Sequence, residues 1–174
     1  MLERHVFLIG MSGCGKSSLG RKVAANLHLR YTDMDRRIAE AAGCATTSDT
    51  YARWGEEGFR NAETNLLIEL SREEPALVST GGETVIFPQN REIMRSFGII
   101  VLVDRPLNQI LGDIKLDDRR PMLMDKGLDE VERLYNERIG IYRDAADIVL
   151  DNSHGYFAGV NALERLLRQR FRLT

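Results

Sequence analysis

Residues 10–17 read Gly10-Met11-Ser12-Gly13-Cys14-Gly15-Lys16-Ser17, directly after the apolar run Val6-Phe7-Leu8-Ile9. Four residues between two glycines, followed by lysine and a hydroxyl side chain, is the spacing of a phosphate-binding P-loop. Small residues let backbone N–H groups curl around phosphate oxygens. Lys16 adds a point charge for the terminal phosphates, and the Ser17 hydroxyl is a candidate Mg²⁺ ligand. A helix beginning near Lys16 aims its positive end at the same phosphates. The nucleotide-binding candidates are therefore Gly13, Cys14, Gly15, Lys16, Ser17 and Ser18. Cys14 sits beside a helix N-terminus and Lys16, which reads equally as a reactive thiol or as a buried inert one.

Other residues suit a phosphate acceptor. Asp33 and Asp35 end the second strand candidate in Tyr31-Thr32-Asp33-Met34-Asp35. Read as the end of a strand, i and i+2 share a face, so both carboxylates point toward the P-loop. One suits hydrated Mg²⁺, the other a substrate hydroxyl. Arg60 and Glu63 are helical neighbours, so Glu63 can hold the Arg60 guanidinium for a substrate carboxylate, although an exposed ion pair would look the same. The Gly81-Gly82 pair permits close backbone approach to a ligand. Arg138, read alone, is a solvated helical arginine. The polar segment 112–127, which carries Arg119 and Arg120, reads either as a surface loop or as a lid over a nucleotide.

These residues need a frame. Strands are expected at His5–Ile9, Arg30–Asp33, Ala76–Ser79, Ile99–Val103 and Ile148–Leu150. Helices are expected near Lys16–Leu27, Asp35–Ala42, Ser48–Trp54, Glu57–Leu70, Pro88–Phe97, Pro106–Leu111, Leu128–Ala145 and Ala158–Phe171. Runs such as Ile99-Ile100-Val101-Leu102-Val103, alternating with helices, predict a parallel sheet covered on both faces. Ligands then belong at the carboxyl ends of the strands.

The 174 residues fit one domain, 1–174, that buries roughly 70% of its unfolded surface. A net charge of −2 does not suggest a nucleic-acid partner. No run approaches the ~20 apolar residues of a membrane span. The N-terminus has no signal-peptide pattern, and two cysteines build no secreted framework, so a cytoplasmic protein is expected.

In combination the motifs resemble the shikimate kinase family over nearly the whole chain. The matching residues are the P-loop, Asp33-Met34-Asp35, Gly58-Phe59-Arg60-Asn61-Ala62-Glu63, Gly81-Gly82, Arg120-Pro121, and Arg138 upstream of Tyr142-Arg143-Asp144-Ala145-Ala146-Asp147. The resemblance implies a three-layer α/β/α P-loop kinase fold. Its five parallel strands run in the order 2-3-1-4-5, with an acceptor-binding segment at about 34–63 and a mobile lid at about 112–127. It implies a monomer that transfers the γ-phosphoryl group of MgATP to the 3-hydroxyl of shikimate. Carried over, Lys16, Asp35 and Arg120 are the catalytic candidates, with Arg120 reaching the ATP phosphates from the lid. Ser17 and Asp33 serve Mg²⁺. Asp35, Arg60, Gly81, Gly82 and Arg138 bind the acceptor, the two arginines gripping its carboxylate.

Three positions depart from the family pattern. Glu83 replaces a usual third glycine, Asp113 replaces an arginine that stacks on adenine, and Asp151-Asn152-Ser153-His154-Gly155 lacks a usual arginine. Glu83 is expected to turn to solvent or to pair with a nearby arginine. A kinase of the same fold acting on another hydroxy acid such as gluconate, and a nucleotide-binding relative without turnover, remain open at this point.

Overall fold

The computed structural model describes residues 1–116 and 126–172. Five strands make one parallel sheet in the order β2-β3-β1-β4-β5. They are β1 (His5–Ile9), β2 (Tyr31–Asp33), β3 (Leu77–Ser79), β4 (Gly98–Asp104) and β5 (Ile148–Asp151). β1 lies centrally, with Val6 opposite Leu77 of β3 and opposite Ile99 of β4. Every residue of β1 is buried, as is β4 apart from Asp104, because helices cover both faces.

The helices are α1 (Lys16–Asn26), α2 (Met34–Ala41), α3 (Thr47–Leu70), α4 (Pro88–Phe97), α5 (Leu107–Leu116), α6 (Lys126–Ala145) and α7 (Tyr156–Phe171). Each buries an apolar stripe, such as Leu163, Leu167 and Phe171 of α7. The two helices expected between 48 and 70 abut inside α3 and change direction at Gly55, whose φ of 71° and ψ of 176° are not helical. A side chain there would be strained, which is why a glycine marks the break.

Two expectations change. The helix over Pro106–Leu111 does not stop before Gly112 but continues to Leu116, and α6 begins at Lys126, so both ends of the expected irregular segment 112–127 are helical. Arg119 and Arg120 lie outside the described residues. The second change concerns Asp33 and Asp35. The strand ends at Asp33 and α2 starts at Met34, so Asp35 stands in the first turn of a helix. The N-cap is Asp33, whose carboxylate accepts from the Arg36 N–H at 3.3 Å. The two carboxylates are thus related by helical turn and cap, not by the alternation of a strand.

Candidate active site

The P-loop spans the carboxyl end of β1 and the start of α1, where the first N–H groups of the helix have no helical partner. Its shape is fixed from several sides. The Cys14 N–H donates to the Met11 carbonyl at 3.1 Å. Asn152, just past β5, donates to the Cys14 carbonyl at 2.8 Å, and Arg105, just past β4, donates to the Gly13 carbonyl at 3.0 Å. Lys16 is folded back on its own loop: Nζ donates to the Gly10 carbonyl at 2.6 Å and to the Met11 carbonyl at 2.9 Å. Its charge is therefore satisfied internally. The Cys14 side chain is buried, with Sγ 3.8 Å from Lys16 Nζ. Burial leaves its backbone, and not its thiol, facing outward from the loop.

Behind the loop, the Tyr31 hydroxyl ties three elements together. It lies 3.1 Å from the Ser17 carbonyl, 3.1 Å from Ser79 Oγ and 3.4 Å from Asp33 Oδ2. Ser79 in turn donates to the Lys16 carbonyl at 3.0 Å. These bonds hold the first turn of α1 against β2 and β3, and so place Ser17 near Asp33.

Asp35 faces the same space from α2. Burial and the neighbouring charges of Glu63 and Asp33 push its pKa up to about 6, against the opposing pull of Lys16 and Arg60. Among the described residues its carboxylate has no hydrogen-bond partner. Gly81 stands beside it: a Cβ there would meet Asp35 Oδ1 at 2.8 Å and Glu63 Oε1 at 2.7 Å. Only glycine lets the chain pass between those two carboxylates. A cavity of about 300 Å³ unites the regions, lined by Gly15, Lys16, Ser17 and Ser18 on one side and by Asp35 and Gly82 on the other.

Around Gly82 the arginines converge. Arg60 Nη1 pairs with Glu63 at 2.5 Å, as the helical spacing allowed, and Glu63 is fully buried. The Thr84 hydroxyl also donates to Glu63. Arg60 further meets the Tyr51 hydroxyl and lies 5.5 Å from the Tyr51 ring centre, so its plane is fixed. Arg138, on α6, is no solvated helical arginine. Its side chain is only 18% exposed and pairs with Glu83. Glu83 also pairs with Arg60, so one carboxylate bridges both guanidinium groups. Its φ of −105° and ψ of −9° are ordinary right-handed geometry. The buried Tyr142 donates to the Gly82 carbonyl at 2.6 Å and anchors that turn to α6.

Sequence reasoning did not single out Tyr31, Thr84, Arg105, Tyr142 or Asn152 as parts of this site. Each is an isolated residue whose partner is distant in sequence. Tyr142 stood in the motif that follows Arg138, and Asn152 in the segment after the last strand, but neither spacing pointed to a role.

The donor set suits Mg²⁺ that arrives with a nucleotide. Mg²⁺ keeps several waters and takes few protein ligands. Among the described residues no group of three His, Cys, Asp or Glu could hold a metal unaided. The Ser17 hydroxyl and the Asp33 carboxylate are the oxygen donors available to such an ion beside the loop.

A family model described as shikimate kinase matches residues 12–160. A shikimate kinase from Clostridium beijerinckii is 34% identical over 166 residues, covering 95% of this chain and 96% of the relative. One from Aromatoleum aromaticum is 33% identical over 171 residues and 97% of each chain. Among solved structures, a shikimate kinase from Acinetobacter baumannii in complex with shikimate superposes with a TM-score of 0.82 at 28% identity, covering 97% of this chain and 93% of that one. A gluconokinase from Sinorhizobium meliloti superposes at 0.60 with 13% identity over 97% of this chain and 94% of that one, a likeness of fold alone.

Proposed function

The chain belongs to the shikimate kinase family, and from that premise we propose how its own residues carry the transfer of the γ-phosphoryl group of MgATP to the 3-hydroxyl of shikimate. The observation that carries the reading is the single cavity that holds the P-loop at one side and Asp35 with Gly82 at the other. A nucleotide and an acceptor bound there meet without crossing bulk water.

Phosphoryl transfer is mostly positioning and charge neutralisation. The backbone of Gly13, Cys14 and Gly15 and the N–H groups of Lys16, Ser17 and Ser18 cradle the phosphates. Lys16 leaves the carbonyls of Gly10 and Met11 and moves its charge to the phosphate being transferred. Mg²⁺, when bound, neutralises phosphate charge, and Ser17 with Asp33 holds it in place. Asp35 accepts the hydrogen bond, and then the proton, of the attacking hydroxyl. A carboxylate with a pKa near 6 is ionised at neutral pH and more basic than an exposed one. Arg60 and Arg138 grip the acceptor carboxylate, and the Gly81-Gly82 backbone sets its approach. Arg120 contributes from the lid to the ATP phosphates. The acceptor segment spans about 34–63, within one catalytic domain that works as a monomer in the cytoplasm. Among the described residues no helix is long and apolar enough to cross a membrane.

The test is ADP release with MgATP against shikimate, quinate and gluconate. Turnover with shikimate, and at least tenfold lower kcat/KM for the others, is the expected result. Equal or better turnover of gluconate would overturn the acceptor assignment.

A further inference from the structure

The Glu83 carboxylate bridges Arg60 and Arg138, the pair that the proposed function assigns to the acceptor's carboxylate. Within this ion-paired cluster the charges balance without any ligand, and Asp35 adds a further negative neighbour beside Glu63. Two guanidinium groups face two carboxylates, Glu63 and Glu83. The two glutamates are not equivalent. Glu63 is fully buried, paired with Arg60 and bonded by Thr84, so it cannot leave. The Glu83 side chain is 31% exposed, and none of its other hydrogen bonds among the described residues ties it inward. It follows Gly82 on a turn of ordinary geometry and can rotate outward without moving backbone.

We infer that Glu83 is an intramolecular competitor for the acceptor's carboxylate, occupying the arginine pair in the empty enzyme and turning outward when a carboxylate-bearing acceptor binds. This rests on the assignment of Arg60 and Arg138 to that carboxylate. An arriving carboxylate that left Glu83 in place would put three negative groups on two positive ones, in a half-buried site where the excess charge is costly. Exchange of one carboxylate for another keeps the balance. The acceptor's affinity is then lowered by the population of the self-bridged form, which must open first. The same device selects against acceptors without a carboxylate, since they cannot take over the arginines that Glu83 would release.

The test is calorimetric binding of shikimate, and of its analogue with the carboxylate reduced to an alcohol, to wild type, Glu83→Gln and Glu83→Ala. Circular dichroism shows whether each variant is folded, and the near-isosteric glutamine serves if alanine disturbs the turn. The Kd for shikimate is expected to fall three- to tenfold in at least one folded variant, with that for the alcohol unchanged. A Kd for shikimate that stays constant or rises in both variants would make Glu83 an organiser of the arginines and overturn the inference. An equal fall for acid and alcohol would also overturn it, because that reports space rather than charge. Arg60→Ala and Arg138→Ala are titrated alongside: if they bind shikimate as tightly as wild type, the arginine assignment itself fails, whatever the Glu83 variants do.

Discussion

The two ends of the cavity are built by opposite strategies. The nucleotide end is one contiguous segment whose proposed ligands are largely backbone, and the charge within it, Lys16, rests on its own loop. The proposed acceptor end gathers Asp35, Arg60, Gly81, Glu83 and Arg138 from four separate stretches of chain, and its arginine charges are satisfied by side chains. Backbone ligands tolerate many neighbours in sequence. Side-chain charges balanced against one another make each member depend on the others.

Removing Lys16 should have the largest effect on turnover. Lys16→Ala is expected to lower kcat by about 10³ or more, because the charge that meets the transferring phosphate is gone. Steady-state ADP release measures this, and circular dichroism should show the fold retained. A small loss would mean that the nucleotide end works by its backbone alone.

Asp35→Asn should lower kcat/KM by about 10²–10³. The wild-type kcat/KM for the acceptor should rise as pH passes upward through about 6, as Asp35 ionises. Stability should move the other way. Burial raises this pKa above its ordinary value of 3.8, so ionised Asp35 disfavours the native state above pH 6. That penalty shrinks as pH falls from about 6 and is absent below 3.8. The asparagine variant should therefore be more stable than wild type at pH 8 by about 1–3 kcal/mol, with the difference gone by pH 4. Urea unfolding at the two pH values checks it.

The arginines come next, and they should differ. Arg138→Ala is expected to raise the acceptor KM by about thirtyfold, or ~2 kcal/mol, with KM for ATP nearly constant. Arg60→Ala should do the same and also destabilise the fold by about 3 kcal/mol, because Glu63 is left buried with its charge unpaired. Equal stability of the two variants would show that Glu63 does not depend on Arg60. Lysine should rescue neither site well, since it lacks the planar fork. The smallest effect belongs to Tyr142→Phe, which frees the Gly82 carbonyl. It should cost about 1 kcal/mol, read as a severalfold rise in acceptor KM.

The same contrast explains what could be read before the structure. The P-loop was legible because its spacing is itself the geometry. The sheet was legible from fully apolar runs such as Ile99–Val103, and the bend in α3 from Gly55, a breaker within a helical pattern. Asp33 was expected at the end of the strand and Asp35 at the start of the helix, as observed, but their carboxylates were related by strand alternation where a cap and a helical turn relate them. A three-residue strand running straight into a helix leaves no periodicity by which to locate the boundary, and an aspartate suits either side of it. The Arg60–Glu63 pair followed from helical spacing, whereas Arg138 had no local signal and entered only through resemblance. The joint hold of Glu83 on both arginines was beyond a linear reading. It needs α3, the turn after β3, and α6 to converge, and their separations in sequence say nothing of distance. The same is true of the surroundings of Trp54, the last residue of the helix expected over Ser48–Trp54. It is 38% exposed, in a groove with Arg37 and Ile38 of α2.

The carboxylate bridge across Arg60 and Arg138 also bears on how fast an acceptor arrives. Opposite charges cancelled at close range project little field into solvent, and the chain as a whole carries −2. An anionic acceptor approaching the empty site is therefore not drawn in over a Debye length, about 8 Å at physiological salt. Its encounter rate is set by diffusion and orientation, and added salt leaves it nearly flat. If the bridge opens as inferred, the guanidinium charges would be felt only at contact and would lengthen the acceptor's residence instead of hastening its entry.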